Sequence, residues 1–214
     1  MNGIQFEGQS PVVAVDPNRA DIACFVGFIA RRDGAALPQF VHEWMGEYGW
    51  TAAQLGRPGF DPEILDDVPV PIDSWELFDR LFRWEHRTDL SSGVTYLGAA
   101  VRSFFAQGGR KCYVVRMGNP WKRAVARAAR LARINDLIPG WATGQVSCIP
   151  LDRTSWKGVG HLFGLPEVSY LCLPDLAEAF AVDPEPVTVP ELPRVPEQFV
   201  ECGTEPADLT AGDL

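Results

Sequence analysis

The sequence predicts an α/β domain, a mixed sheet with flanking helices, carrying an extended N-terminal arm and a proline-rich acidic C-terminal tail. Three observations predict it. Two almost uninterrupted apolar runs rich in β-formers, residues 22–30 (IACFVGFIA) and 168–174 (VSYLCLP), read as strands buried on both faces. Between them Tyr96, Leu97, Ala100, Val101, Phe104 and Phe105 recur at helical spacing, and Gln107-Gly108-Gly109 then leads into a strand at residues 112–115. A helix joined to a strand through a glycine turn is half of an α/β unit. Finally, residues 183–214 hold six prolines, eight acids and one base, a composition that builds no core.

The elements follow in order. Residues 1–20 form the arm. Pro11 and Pro17 bar this stretch from a helix interior or a central strand, while Val12, Val13, Ala14 and Val15 keep backbone groups free to add to the edge of another sheet. The strand at 22–30 closes in the turn Arg31-Arg32-Asp33-Gly34. Residues 35–67 are irregular, with aromatics in VHEWMGEYGW, prolines in RPGFDPEILDD and one short helix. Residues 68–72 are extended and lead into a helix capped by Asp73 or Ser74, which buries Trp75, Phe78, Leu81 and Phe82. At the glycine turn, Gly109 is expected to take the left-handed position that ends the helix. A third helix spans 121–134. Its cations Lys122, Arg123, Arg127, Arg130 and Arg133 fall within ~140° of arc, with Trp121, Val125, Ala128 and Ala132 opposite. A strand-like VSCIP at 146–150, a turn of helix within 156–163 and the strand at 168–174 complete the domain. The organisation is therefore an arm (1–20), an α/β domain (21–182) and a linker or tail (183–214).

Charge and composition exclude several functions. The net charge of the 214 residues is −9, of which the tail supplies −7, so the body is close to neutral. Neutral bodies associate readily, whereas a nucleic-acid binder needs a basic footprint. No apolar run approaches the ~18 residues of a membrane span, and MNGIQFEGQS has neither the basic start nor the apolar stretch of a secretory signal. The expectation is assembly in the cytoplasm, without nucleic acid or membrane. Five cysteines (Cys24, Cys112, Cys148, Cys172, Cys202) with no CxxC pair fit neither a disulfide framework nor a zinc site, and read as buried reduced thiols.

No catalytic constellation emerges. Of His42, His86 and His161, His42-Glu43 opens like a zinc-protease motif but lacks its second histidine. There is no GxSxG elbow. Gly158-Val159-Gly160 with Gly164 comes near a dinucleotide loop, yet the last glycine is one place late and a strand follows too soon for a phosphate-binding helix. A nucleotide-dependent α/β enzyme built on that loop is the alternative reading. Gly108-Gly109-Arg110-Lys111 follows a helix and precedes a strand, the reverse of a phosphate loop. The cationic helix face is either a solvated surface or a contact for an acidic partner, including another copy of this acidic-tailed chain. The residues thus predict no enzyme, no cofactor and no metal.

Four patches, in order, resemble the N-terminal half of the tail sheath proteins of contractile phages and related injection systems. They are ACFVGFIARR, VPVPIDSWELFDRLF, YLGAAVRSFFAQGGRKCYVVRM and VSYLCLPDL, together about 60 residues. Residues 34–67 stand as an insertion relative to that family. The chain stops at Leu214 where the family continues into a C-terminal domain, so it is either a fragment or a shortened relative. The resemblance implies a structural subunit that stacks as rings around an inner tube and contracts to drive the tube into a target. Its implied partners are further copies or sheath paralogues, baseplate proteins, and the tube protein through a part absent from this sequence. It implies a place in a phage tail or phage-like particle, and linkage between subunits through terminal arms such as Pro11–Val15.

Overall fold

A computed structural model describes residues 21–84, 96–121, 125–145 and 147–182, all within a unit that ends at Val182. The arm, the tail, His86, Lys122, Arg123 and Cys202 lie outside the described residues.

The fold is α/β. Its main sheet has four strands in the order β3-β5-β1-β6, formed by β1 (Ile22–Gly27), β3 (Pro69–Ile72), β5 (Lys111–Arg116) and β6 (Tyr170–Cys172). β1 runs parallel to both β5 and β6, with Cys24 beside Tyr113 and Leu171, while β3 is antiparallel to β5. A two-residue pair, β2 (Ala30–Arg31) with β4 (Phe82–Arg83), stands apart. Helix α3 (Leu97–Ala106) covers one face, where Phe104 meets Phe25 edge-on. Helix α1 (Gln39–Tyr48) covers the other, where Trp44 packs on Tyr113. This double cover explains the continuous apolar runs of β1 and β5, whose inner residues are buried on both faces.

Several expectations are corrected. The run 22–30 is not one strand, because the Phe28 N–H leaves the ladder for the Asp175 carboxylate (2.8 Å) and Ile29 N–H turns to Gly118 O (3.1 Å). Residues 35–67 hold the full ten-residue α1 and supply Leu37, Val41, Met45, Trp50, Leu55 and Leu65 to the core, so the stretch is structural rather than an excursion. Helix α2 (Trp75–Leu81) starts as expected, with Ser74 Oγ accepting from Leu77 N–H at 3.4 Å. VSCIP forms no strand at 147–150; there Cys148 is buried with its thiol directed at Ser155 O (3.3 Å). β6 is three residues long and an edge strand, so Tyr170 and Leu171 are more than a third exposed instead of buried.

The glycine turn ends α3 one residue earlier than expected. Gly108 N–H bonds to Phe105 O (3.1 Å) and Gly109 N–H reaches back to Phe104 O (2.9 Å), the paired bonds of a Schellman turn. Gly108 takes φ +89°, and it is this residue, not Gly109, that needs the left-handed region. Gly109 is required for another reason, because a Cβ there would lie 2.4 Å from the Phe104 ring.

Candidate functional site

In open α/β sheets, ligands bind outside the carboxyl ends of the parallel strands. Here two buried charges occupy that place. Asp175 follows β6 and is fully buried; its carboxylate accepts hydrogen bonds from the N–H groups of Phe28 (2.8 Å), Tyr96 (2.6 Å) and Leu97. Gly27 makes room for it, since a Cβ at that position would sit 2.4 Å from Asp175 Oδ2. Burial pushes the Asp175 carboxyl above its usual range although the three amides pull it down. Arg116, at the end of β5, is equally engaged: Nε donates to Ile29 O (2.6 Å), Nη1 to Asp66 Oδ1 (2.9 Å) and Nη2 to Asn119 Oδ1 (2.7 Å). Desolvation lowers its pKa and Asp66 opposes that shift. Asp175 thereby joins three of the resembling patches, ACFVGF, YLGAAV and LCLPDL, at one point, with its charge spent on main chain.

The Gly158–Gly164 stretch is a 3₁₀ helix. Its first amide, which in a nucleotide loop would face a phosphate, donates to Asp67 Oδ1 at 2.8 Å. Its glycines serve close packing. A Cβ on Gly158 would lie 2.3 Å from Leu137 O, one on Gly160 2.6 Å from Cys148 Sγ, and one on Gly164 2.7 Å from the Trp156 ring. His161 is fully buried, donates from Nε2 to Asp67 Oδ1 (3.0 Å) and stands edge-on to Trp50; its Nδ1 is buried among groups that offer it no hydrogen bond. Arg57 closes the cluster with Nη2 2.7 Å from Asp67 Oδ2. Asp67 itself sits at φ +51°, in the left-handed region that aspartate and asparagine enter more readily than most residues other than glycine. A cleft of about 720 Å³ opens beside it, lined in part by Arg57, Asp66, Asp67, Asp136 and Lys157. Each of these charges has a partner within the chain: Arg57 with Asp67, Lys157 with Asp136 at 2.8 Å, and Asp66 with Arg116. Sequence reading missed the Arg57–Asp67–His161 cluster, because its members are scattered and no local spacing announces it.

The basic helix is α4 (Arg127–Leu137), shorter than expected; Trp121 and Val125 before it pack on the core as expected, and the departure lies within the helix. Its inward face is Arg130, Ile134 and Leu137, while Ala128 and Ala132, expected inside, are exposed. Arg130 is buried and donates to Val125 O (2.8 Å) and Ala181 O (2.6 Å). Arg133 donates to Met117 O (2.8 Å), pairs with Asp136 (3.1 Å) and lies over the Phe28 ring (4.2 Å). Long guanidinium side chains that satisfy buried carbonyls substitute for apolar residues here, a use that a helical wheel cannot distinguish from a solvated face. Of the five cations, Arg127 alone among the described residues is exposed.

The remaining candidates are accounted for by local contacts. His42 Nε2 lies 2.9 Å from Glu63 Oε1, and among the described residues no group of three metal-ligating side chains converges. Burial pushes the Cys24 thiol up to about 12 and that of Cys112 higher. Among the described residues no helix is long and apolar enough to cross a membrane. Comparison with protein-family models, curated proteins and solved structures finds no match to this chain.

Proposed function

We propose that this chain is a structural subunit of a contractile tail sheath, of a phage tail or a phage-like injection system, rather than an enzyme. The observation that carries the reading is the convergence at Asp175. Three of the four sheath-like patches meet there, and the fourth, VPVPIDSWELFDRLF, forms β3 and α2 beside them. That patches far apart in sequence jointly build one hub supports reading them together. The strand ends, where an α/β enzyme would hold its substrate, carry charges already engaged by the chain's own backbone and side chains. That arrangement favours a rigid building block. In the assembly, nearly rigid subunits would change packing between extended and contracted lattices while arms act as hinges.

The test is electron microscopy of the purified chain, alone and co-expressed with whatever proteins its flanking genes encode. Stacked rings or helical polymers are expected. A chain that stays monomeric in every combination overturns the proposal. A nucleotide co-purifying at one per chain would favour the enzyme reading instead.

A further inference from the structure

We infer that the groove bounded by helix α1 and strand β3 binds an extended segment of another protein that carries arginines at alternate positions. The inference stands apart from the sheath reading, because α1 lies outside all four sheath-like patches.

Helix α1 has two unlike faces. Val41 and Met45 are buried, whereas Phe40, Trp44 and Tyr48 follow one another at i, i+4 and i+8 and line the groove. Phe40 and Tyr48 are 45% and 49% exposed, a large aromatic surface to leave in water. The Trp44 ring lies 5.4 Å from that of Tyr48 and 20° from parallel, and its packing on Tyr113 at 5.5 Å holds it in place. Pro71 and Ile72 of β3 add to the lining of the groove, whose volume of about 370 Å³ is that of a ligand site. β3 is an edge strand that lacks two of its four N–H groups, at Pro69 and Pro71, so it is a poor template for strand addition. Recognition here falls to side chains.

Charge selects the occupant. Glu43 and Glu47 of α1 and Asp73 after β3 also line the groove; all three are exposed, and among the described residues none of them pairs with a cation. Glu43 accepts from Gln39 (3.2 Å) and Asp73 from Ser74 (3.0 Å), both neutral donors. The lining cation, Lys111, is already held by Glu167 (2.8 Å) and lies over the Tyr113 ring. A guanidinium matches both features of such a groove: its flat face stacks on aromatic rings, and its N–H fork fits a carboxylate. An ammonium brings the charge without the face. Glu43 and Glu47 stand four residues apart, about 6 Å along the helix. Alternate side chains of an extended segment recur at about 6.8 Å, so Arg-x-Arg sets one guanidinium at each carboxylate. From Phe40 to Tyr48 the aromatic stripe runs about 12 Å, room for about three or four extended residues. A small cation would leave most of that length uncovered.

The experiment titrates the full chain, isotopically labelled for NMR, with the capped pentapeptide Ala-Arg-Ala-Arg-Ala. Saturable shifts are expected at residues 40–48 and 73. The lysine counterpart, Ala-Lys-Ala-Lys-Ala, should bind about threefold more weakly. Glu43→Gln combined with Glu47→Gln should weaken the arginine peptide about tenfold, and Tyr48→Ala about threefold. These positions are exposed, and an unchanged melting temperature will show that the fold is kept. No saturable shift up to about 5 mM peptide, or shifts spread along the acidic residues 183–214 instead of the groove, overturns the inference. So does undiminished binding to the double glutamine variant, or equal affinity for the two peptides, which would remove the guanidinium from the argument. Capped arginine alone binding as tightly as the pentapeptide overturns the extended segment, and maltose shifting the same amides while the peptide does not overturns the cationic occupant.

Discussion

Asp175 and Asp67 are both buried carboxylates that hold a main-chain amide, and they are built in opposite ways. Asp175 is served by three amides, from Phe28, Tyr96 and Leu97, and by the space left at Gly27. Asp67 is served by one amide, Gly158, and by the side chains of Arg57 and His161. A carboxylate held by backbone depends on where strands and helices end, so it fixes the fold around itself. A carboxylate held by side chains depends on residues that substitution can remove singly. The first is a keystone of the sheet; the second pins a surface cleft.

The largest expected effect tests that ranking. Asp175→Ala leaves its amide partners buried without an acceptor, at about 1–3 kcal/mol for each such group. A loss of roughly 3–5 kcal/mol follows, which lowers the melting temperature by about 10 °C or more in a domain of this size. Circular dichroism melts would check it, and a shift under 2 °C would remove Asp175 from its role. Gly27→Ala comes next, at about 1–3 kcal/mol, because its Cβ collides with Asp175 Oδ2. The collision needs the carboxylate, so the double variant with Asp175→Ala should cost clearly less than the two losses added. Strict additivity would show that Gly27 matters for some other reason.

Asp67→Asn should cost less than either, about 1 kcal/mol. The amide oxygen still accepts from Gly158, and asparagine tolerates the left-handed backbone that Asp67 adopts. What is lost is the charge facing Arg57. Urea unfolding would measure this, and a loss equal to that of Asp175→Ala would erase the distinction between the two sites.

The same contrast marks what was legible in the sequence. β1, α2, α3 and β5 could be read because each satisfies its own local rules: apolar runs, a serine cap, helical spacing and a glycine stop. The glycine turn was misplaced by one residue because both glycines are needed, Gly108 for its dihedral and Gly109 for the Phe104 ring, and sequence does not separate the two causes. The face of α4 is only partly legible, because Arg130 and Arg133 count as polar in any periodicity, yet their guanidinium groups satisfy buried carbonyls of distant segments. The Arg57–Asp67–His161 cluster was invisible for the same reason. Contacts that join side chains across the chain leave no spacing to recognise.

The smallest effect concerns pH. Burial raises the Asp175 carboxyl above its value in the unfolded chain, against the pull of its amides. The native state then holds this proton more tightly than the unfolded state, and by linkage the group's contribution to stability falls as pH rises from the unfolded value near ~3.9 through the raised one. Asp175→Asn keeps the shape and does not titrate. Other carboxylates cancel when the two proteins are compared at each pH, since they are common to both. The stability advantage of the wild type over Asp175→Asn should therefore be greatest near pH 4, narrow as pH rises, and level off once the native carboxyl is ionised. Urea midpoints at intervals between pH 4 and 7 would trace it. If the advantage instead grows with pH, the three amides outweigh burial, and Asp175 is an anion site that the fold stabilises rather than a charge that it tolerates.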